Sequence, residues 1–133
     1  MELLATLLLA VTVTMSNFSF CDGEIAWKHT RYNTKPSEIR ICTWYTPKET
    51  VFFLVHELGH EYWFKIMTDQ EREEYNELYN KRVHTLDVMR EYGKKNVEED
   101  FADIFALVIL KKKVWYKSEN FTRKTELVSK YIK

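Results

Sequence analysis

Cysteine, proline and glycine are all scarce in this chain of 133 residues, which has two, two and three of them. Two cysteines are too few for a disulfide-built scaffold. Neither Cys21 nor Cys42 lies in a C-x-x-C or Cys/His metal spacing, which argues against a zinc finger. Both are read as buried thiols, with a bridge between paired strands as the alternative in an oxidising compartment or a hyperthermophile. So little Pro and Gly argues against collagen-like and low-complexity chains and leaves a sequence dense in helix formers. An excess of one charge is lacking too: 20 basic and 20 acidic side chains cancel. No field therefore directs the chain to nucleic acid or to an anionic membrane, and neither is expected as a partner.

Long hydrophobic runs are also missing. The most apolar stretch, "MELLATLLLAVTVTM" over residues 1–15, is shorter than the roughly 20 residues a membrane-spanning helix needs. Glu2 stands where a secretory signal carries positive charge, and no small-x-small cleavage site follows closely. Leu3, Leu4, Leu7, Leu8 and Val11 fall on one helical stripe. The segment is expected to be a retained first helix packed on the core of a cytoplasmic protein, without stable membrane insertion.

What the chain does have, 45% hydrophobic and 15% aromatic side chains, suits one compact domain. Residues 17–45 lose helical period. Asp22-Gly23 between alternating flanks suggests a hairpin, and Ile39 and Ile41 around Arg40 suggest a strand with one buried face. Thr46, Pro47 and Glu49 form a capping-box start for a helix over 46–67. Thr68 with Glu71 repeats the pattern for a helix over 68–93, with Gly93 as its stop. Asn96 caps a third over 96–113, and residues 114–133 end the chain as a turn and a short amphipathic helix. The class expected is α+β: mainly helical, with a small β-ribbon or strand region inside 1–45.

The chemistry concentrates in "VFFLVHELGHEYWF", residues 51–64. His56 and His60 lie four apart, so on a helix their imidazoles can converge on one zinc ion. Glu57 points in an adjacent direction, where it can take a proton from a water at the metal without ligating it. This is the H-E-x-x-H arrangement, set in an otherwise apolar helix where unliganded polar groups would be costly. The plain alternative is two hydrogen-bonded histidines near a core. A catalytic zinc needs a third protein ligand. The next histidine, His84, is too far along for a short-spaced third histidine, so a carboxylate is expected from Glu98, Glu99, Asp100 and Asp103. These acids also suit a helix N-terminus, where Glu99 could box back to Asn96. If Phe101, Phe105 and Val108 face the core, Glu99 and Asp103 share one flank, as ligand and supporting partner.

"HELGH" followed by "YGKKNVEEDFADIFA" resembles the glutamate-zincin (gluzincin) clan of zinc metallopeptidases, in which a second "glutamate helix" supplies the third ligand. The second segment is similar to the Y-G-x-x-N-x-x-E-x-F-A-[DE]-x-F pattern of lethal-factor-type protease domains. The small size resembles the minigluzincins, and the likeness is strongest over residues 46–107. It implies a minimal zincin-like fold with an active-site helix and a glutamate helix. It also implies zinc ligands His56, His60 and Glu99, Asp103 behind them, and Tyr92 as a hydroxyl donor facing the cleft. The chain departs from the pattern at Asp100, where the pattern has an apolar residue. The likeness further implies a latent enzyme whose C-terminal segment, 114–133, covers the cleft; an ordinary final helix is the alternative.

The expected function is hydrolysis of peptide bonds by a metal-bound water, with Glu57 as base and Tyr92 bonding the oxyanion. The substrate would be a peptide or protein, held in extended form along an edge strand at "EIRIC". The competing readings are a non-catalytic helical binding or regulatory module with a structural metal or none, and a zinc amidase acting on small substrates. His29 and the "NFT" sequon at Asn120 receive no role. Oligomeric state is not legible.

Overall fold

The computed structural model describes residues 2–9, 11–16, 26–28, 37–42, 46–81, 87–114 and 117–132. In order they form α1 (Glu2–Leu9), β1 (Val11–Ser16), β2 (Ala26–Lys28), β3 (Ser37–Cys42), α2 (Pro47–Lys65), α3 (Asp69–Asn80), a single 3-10 turn (Glu91–Lys94), α4 (Val97–Ile109) and α5 (Glu119–Tyr131). The fold class is corrected by this arrangement. The described residues are mainly helical and the core is built chiefly by α2, α4 and α5, so the expected α+β class with a β-ribbon is replaced by a helical body beside three short strands.

The reasons are local. The N-terminal stripe carries α1 only to Leu9. Beyond it "VTVTMS" alternates β-branched residues, which favour extended backbone, so Val11 leaves the helix. The hairpin expected at Asp22-Gly23, which itself lies outside the described residues, does not pair β1 with β2. The strand order is β1-β3-β2, with β1 parallel and β2 antiparallel to β3. Val13 and Trp27 both stand opposite Ile39, which is fully buried. "EIRIC" therefore lies on the central strand and has no open edge along Glu38–Arg40, which removes strand addition there.

Helix α2 starts where Thr46 accepts from the backbone of Glu49 and the Glu49 carboxylate accepts from the backbone of Thr46, a complete capping box with Pro47 in the first turn. Thr68 and Glu71 repeat it on α3. Helix α3 ends at Asn80 instead of running on to residue 93. Tyr75 and Tyr79 are its buried residues. Of the apolar positions that suggested a longer helix, Leu86 lies outside the described residues and Met89 belongs to a separate segment. There Asp87 and Val88 are buried, and the 3-10 turn leads into α4.

Helices α2 and α4 make the core. Leu58, Tyr62 and Trp63 of α2 meet Phe101 and Phe105 of α4, with Tyr75 of α3 closing the aromatic cluster: Phe101 lies 5.1 Å from Trp63 and 5.2 Å from Tyr75, ring centre to ring centre. Each such side chain contributes about 1.5–3 kcal/mol by leaving water. The helices approach closely at Gly59, where a Cβ would come within 3.0 Å of the Ala102 Cα. Glycine is needed there for that approach, which brings the start of α4 beside the middle of α2.

Helix α5 completes the core with Phe121 and Val128. The Lys124 ammonium, fully buried, bonds both carboxylate oxygens of Asp100 at 3.0 and 2.9 Å and the backbone oxygen of Asp87. No helix among the described residues is long and apolar enough to cross a membrane.

Candidate metal centre

The cross-contact at Gly59 presents one turn of α2 to the first turn of α4. His56, Glu57 and His60 are all buried, and one ligand atom from each lies within 4.8 Å of the others, close enough to share a metal ion. The two imidazole rings meet edge to face with centres 5.0 Å apart. Between them comes the Glu99 carboxylate, 43 positions from His56 in the chain: one oxygen is 3.1 Å from His56 Nε2 and the other 3.2 Å from His60 Nε2. Glu57 stands farther off, its nearest oxygen 4.0 Å from His56 Nε2.

Glu99 occupies the third position of α4, the position held by Glu49 on α2 and Glu71 on α3. All three helices have a cap side chain that accepts from the backbone of that residue. Glu49 and Glu71 turn their carboxylates back onto the cap at 3.0 and 2.9 Å. Glu99 instead sends its carboxylate across to the histidines, so the reciprocal capping box expected as its alternative does not form.

Asp103, one turn along α4, accepts from or faces His56 Nδ1 at 2.8 Å. Asp103 is in turn gripped by Arg90, whose Nε lies 3.0 Å from each carboxylate oxygen and whose Nη2 lies 2.7 Å from one. Arg90 was not singled out from sequence, and nothing in its local pattern marks it. Asp100 turns to Lys124 and to the Tyr75 hydroxyl, which donates to it at 2.6 Å. Asp100 is thus drawn away from the histidines. Tyr92 lies in the 3-10 turn just before α4, and its side chain is outside the described residues. So are His29, His84, Cys21, and the aromatics Trp44, Tyr45 and Trp115.

The electrostatics follow from proton counting. A neutral imidazole has one N–H. His56 meets a carboxylate oxygen at both nitrogens, so both contacts are favourable only if a positive charge sits on or beside the ring. Burial opposes that charge, but the bonds to Asp103 and Glu99 and the nearby Glu57 outweigh it and raise the His56 pKa to about 9. Burial likewise pushes Glu57 up to about 8. Glu99 moves the other way: burial works against its charge, and the bonds from the two histidines hold it well below the usual carboxylate range.

A metal ion meets the same demand as the proton. Donors about 2.1 Å from a tetrahedral centre lie roughly 3.4 Å from one another. The Nε2-to-oxygen separations of 3.1 and 3.2 Å are close to that spacing. The residues present therefore fit a cation held by His56, His60 and Glu99.

Compared with family models, curated proteins and solved structures, the chain matches none. The gluzincin likeness thus rests on the motif residues alone.

Proposed function

We propose that this protein is a metal-dependent peptidase, with zinc held by His56, His60 and Glu99. The observation that carries the reading is the direction of Glu99, which forgoes its capping box to stand between two histidine nitrogens at 3.1 and 3.2 Å. A zinc ion held there would supply Lewis acidity, the means by which a metal polarises a carbonyl and activates water.

The chain's own groups supply the rest. Asp103 fixes the ring orientation of His56, leaving Nε2 directed at the site. Arg90 holds Asp103 in place with a two-pronged contact. Glu57 is close to the site without occupying the place of Glu99. It takes a proton from the attacking water and returns it to the leaving amine. His56 and His60 are themselves buried, beside the core that Leu58, Phe101 and Phe105 share, which limits access of bulk water. Tyr92 remains the proposed donor to the oxyanion. An inhibitory tail is not part of this reading, because α5 carries Phe121 and Val128 in the core and Lys124 in a buried ion pair.

The test compares the full chain with its Glu57→Gln and His60→Ala variants, by elemental analysis and by cleavage of a mixed peptide library. About one zinc per wild-type chain is expected, lost in His60→Ala. Glu57→Gln should keep its zinc while cleavage falls by roughly 10²–10⁴-fold. A wild type that takes up no zinc would end the metal reading. Zinc bound with no cleavage of any peptide by the wild type would leave a structural metal site.

A further inference from the structure

One turn before His56, a cleft of about 340 Å³ opens beside the metal centre, with Phe52, Phe53 and Met89 as its apolar floor and Lys48, Arg90 and Lys112 around it. The Phe52 ring lies 6.4 Å from the His56 ring, centre to centre, so cleft and centre are neighbours. The Arg90 guanidinium lies 5.5 Å from the centre of the Phe52 ring and 5.7 Å from that of Phe53, while its other contacts hold Asp103. The Lys112 ammonium stands 4.7 Å above Phe52.

The one acid lining the cleft, Glu49, is engaged with its own helix cap. The cleft thus presents two lysines, Lys48 and Lys112, neither of which forms an ion pair among the described residues. The placement of Lys112 has a conformational cost. Helix α4 ends with Lys111 in the left-handed region, φ 52°, a place that favours glycine. That turn lets Lys112 donate back to Leu107 at 3.0 Å and extend its side chain over the cleft.

We infer that this cleft receives an acidic side chain of the substrate, glutamate in preference to glutamine, with its methylene groups on Phe52 and Phe53 and its carboxylate between Lys48 and Lys112. The inference rests on the peptidase reading for its substrate class. The 6.4 Å between the Phe52 and His56 rings makes this side chain a near neighbour of the bond that is cut.

The test uses the full-length Glu57→Gln variant, to limit turnover, and two blocked hexapeptides that differ only by glutamate or glutamine at one position. Affinities are measured by NMR titration, following the signals of Phe52, Phe53 and Met89. The glutamate peptide should bind about fivefold more tightly at low salt. The difference should vanish when Lys48→Gln and Lys112→Gln are added together, and an unchanged melting temperature of the double variant shows that the packing around Phe52 has survived. Equal affinities, or a preference that survives the double change, would overturn the inference. Zinc content and wild-type cleavage are read alongside. A glutamate preference without zinc or cleavage would fell the peptidase reading and leave an acidic-peptide site, whereas zinc and cleavage with equal affinities would fell the cleft alone.

Discussion

Two buried ionic clusters share α4, and neighbouring residues send their carboxylates into different ones. Asp100 goes to a cluster that contains its own cation: Lys124 lies at 2.9 and 3.0 Å, Tyr75 donates to the same carboxylate, and Lys124 also reaches the backbone of Asp87. Charge balances one to one, as a buried pair must if it is not to be very costly. Glu99 and Asp103 go to the other cluster, where Glu57 is a third acid and Arg90 is the permanently charged base among the described residues. His56 and His60 lie between them. That set is short of positive charge unless a proton or a metal ion enters. A cluster that brings a fixed cation ties the fold together, and one that must borrow a cation is placed to exchange it.

Lys124 is the fixed cation of the first cluster. Replacing it with methionine leaves Asp100 buried without its partner, and unfolding in urea should show a loss of about 3–5 kcal/mol. Zinc stoichiometry, measured well below the unfolding transition, should stay at the wild-type value. Loss of zinc at unchanged stability would mean that the two clusters are one unit. A smaller effect is expected in the second cluster. Asp103→Asn leaves a neutral group against His56, and zinc affinity, measured by competition with a chelating dye, should fall about 10–100-fold. An unchanged affinity would show that Asp103 does not orient His56.

The sequence revealed the second cluster better than the first. His56, Glu57 and His60 lie within one turn, and Glu99 and Asp103 are four apart on another helix, so local spacing exposes both halves. The lock around Asp100 joins residues far apart in the chain, and Asp100 looked like one more acid at a helix start. A clue did exist in α5: Lys124 sits between Phe121 and Val128 on its apolar stripe, where a lysine needs a buried partner. Arg90 left no trace, because its role depends on α3 stopping at Asn80. The start of α2 was readable because Thr46, Pro47 and Glu49 act on one another over three positions. Pairing of β1 with β3 was not, since parallel neighbours carry no turn signal between them. The run from Leu3 to Val13 fits a helical stripe and a β-branched alternation in turn, and the period changes near Ala10.

The smallest expected effect bears on the borrowed cation itself. In protein stripped of metal, His56 has its pKa raised from 6.5 to about 9. Its contribution to stability is then fully present below pH 6.5 and is lost as pH rises through about 9. Glu57 is raised from 4.5 to about 8. For a raised group the sign is the same, so its protonated form favours the folded state at low pH and that advantage fades as pH rises through about 8. Both slopes run downward, and the melting temperature of stripped protein should fall between pH 6 and pH 9. On the proposed reading zinc would compete with the proton at this cluster, so its affinity should climb over the same interval and flatten or reverse the decline. The Asp100 and Lys124 pair lies outside this cluster and offers zinc no place. A stripped protein whose melting temperature rises from pH 6 to pH 9, or a zinc effect independent of pH, would mean that the positive charge demanded by Glu99 and Asp103 is supplied by some group other than His56.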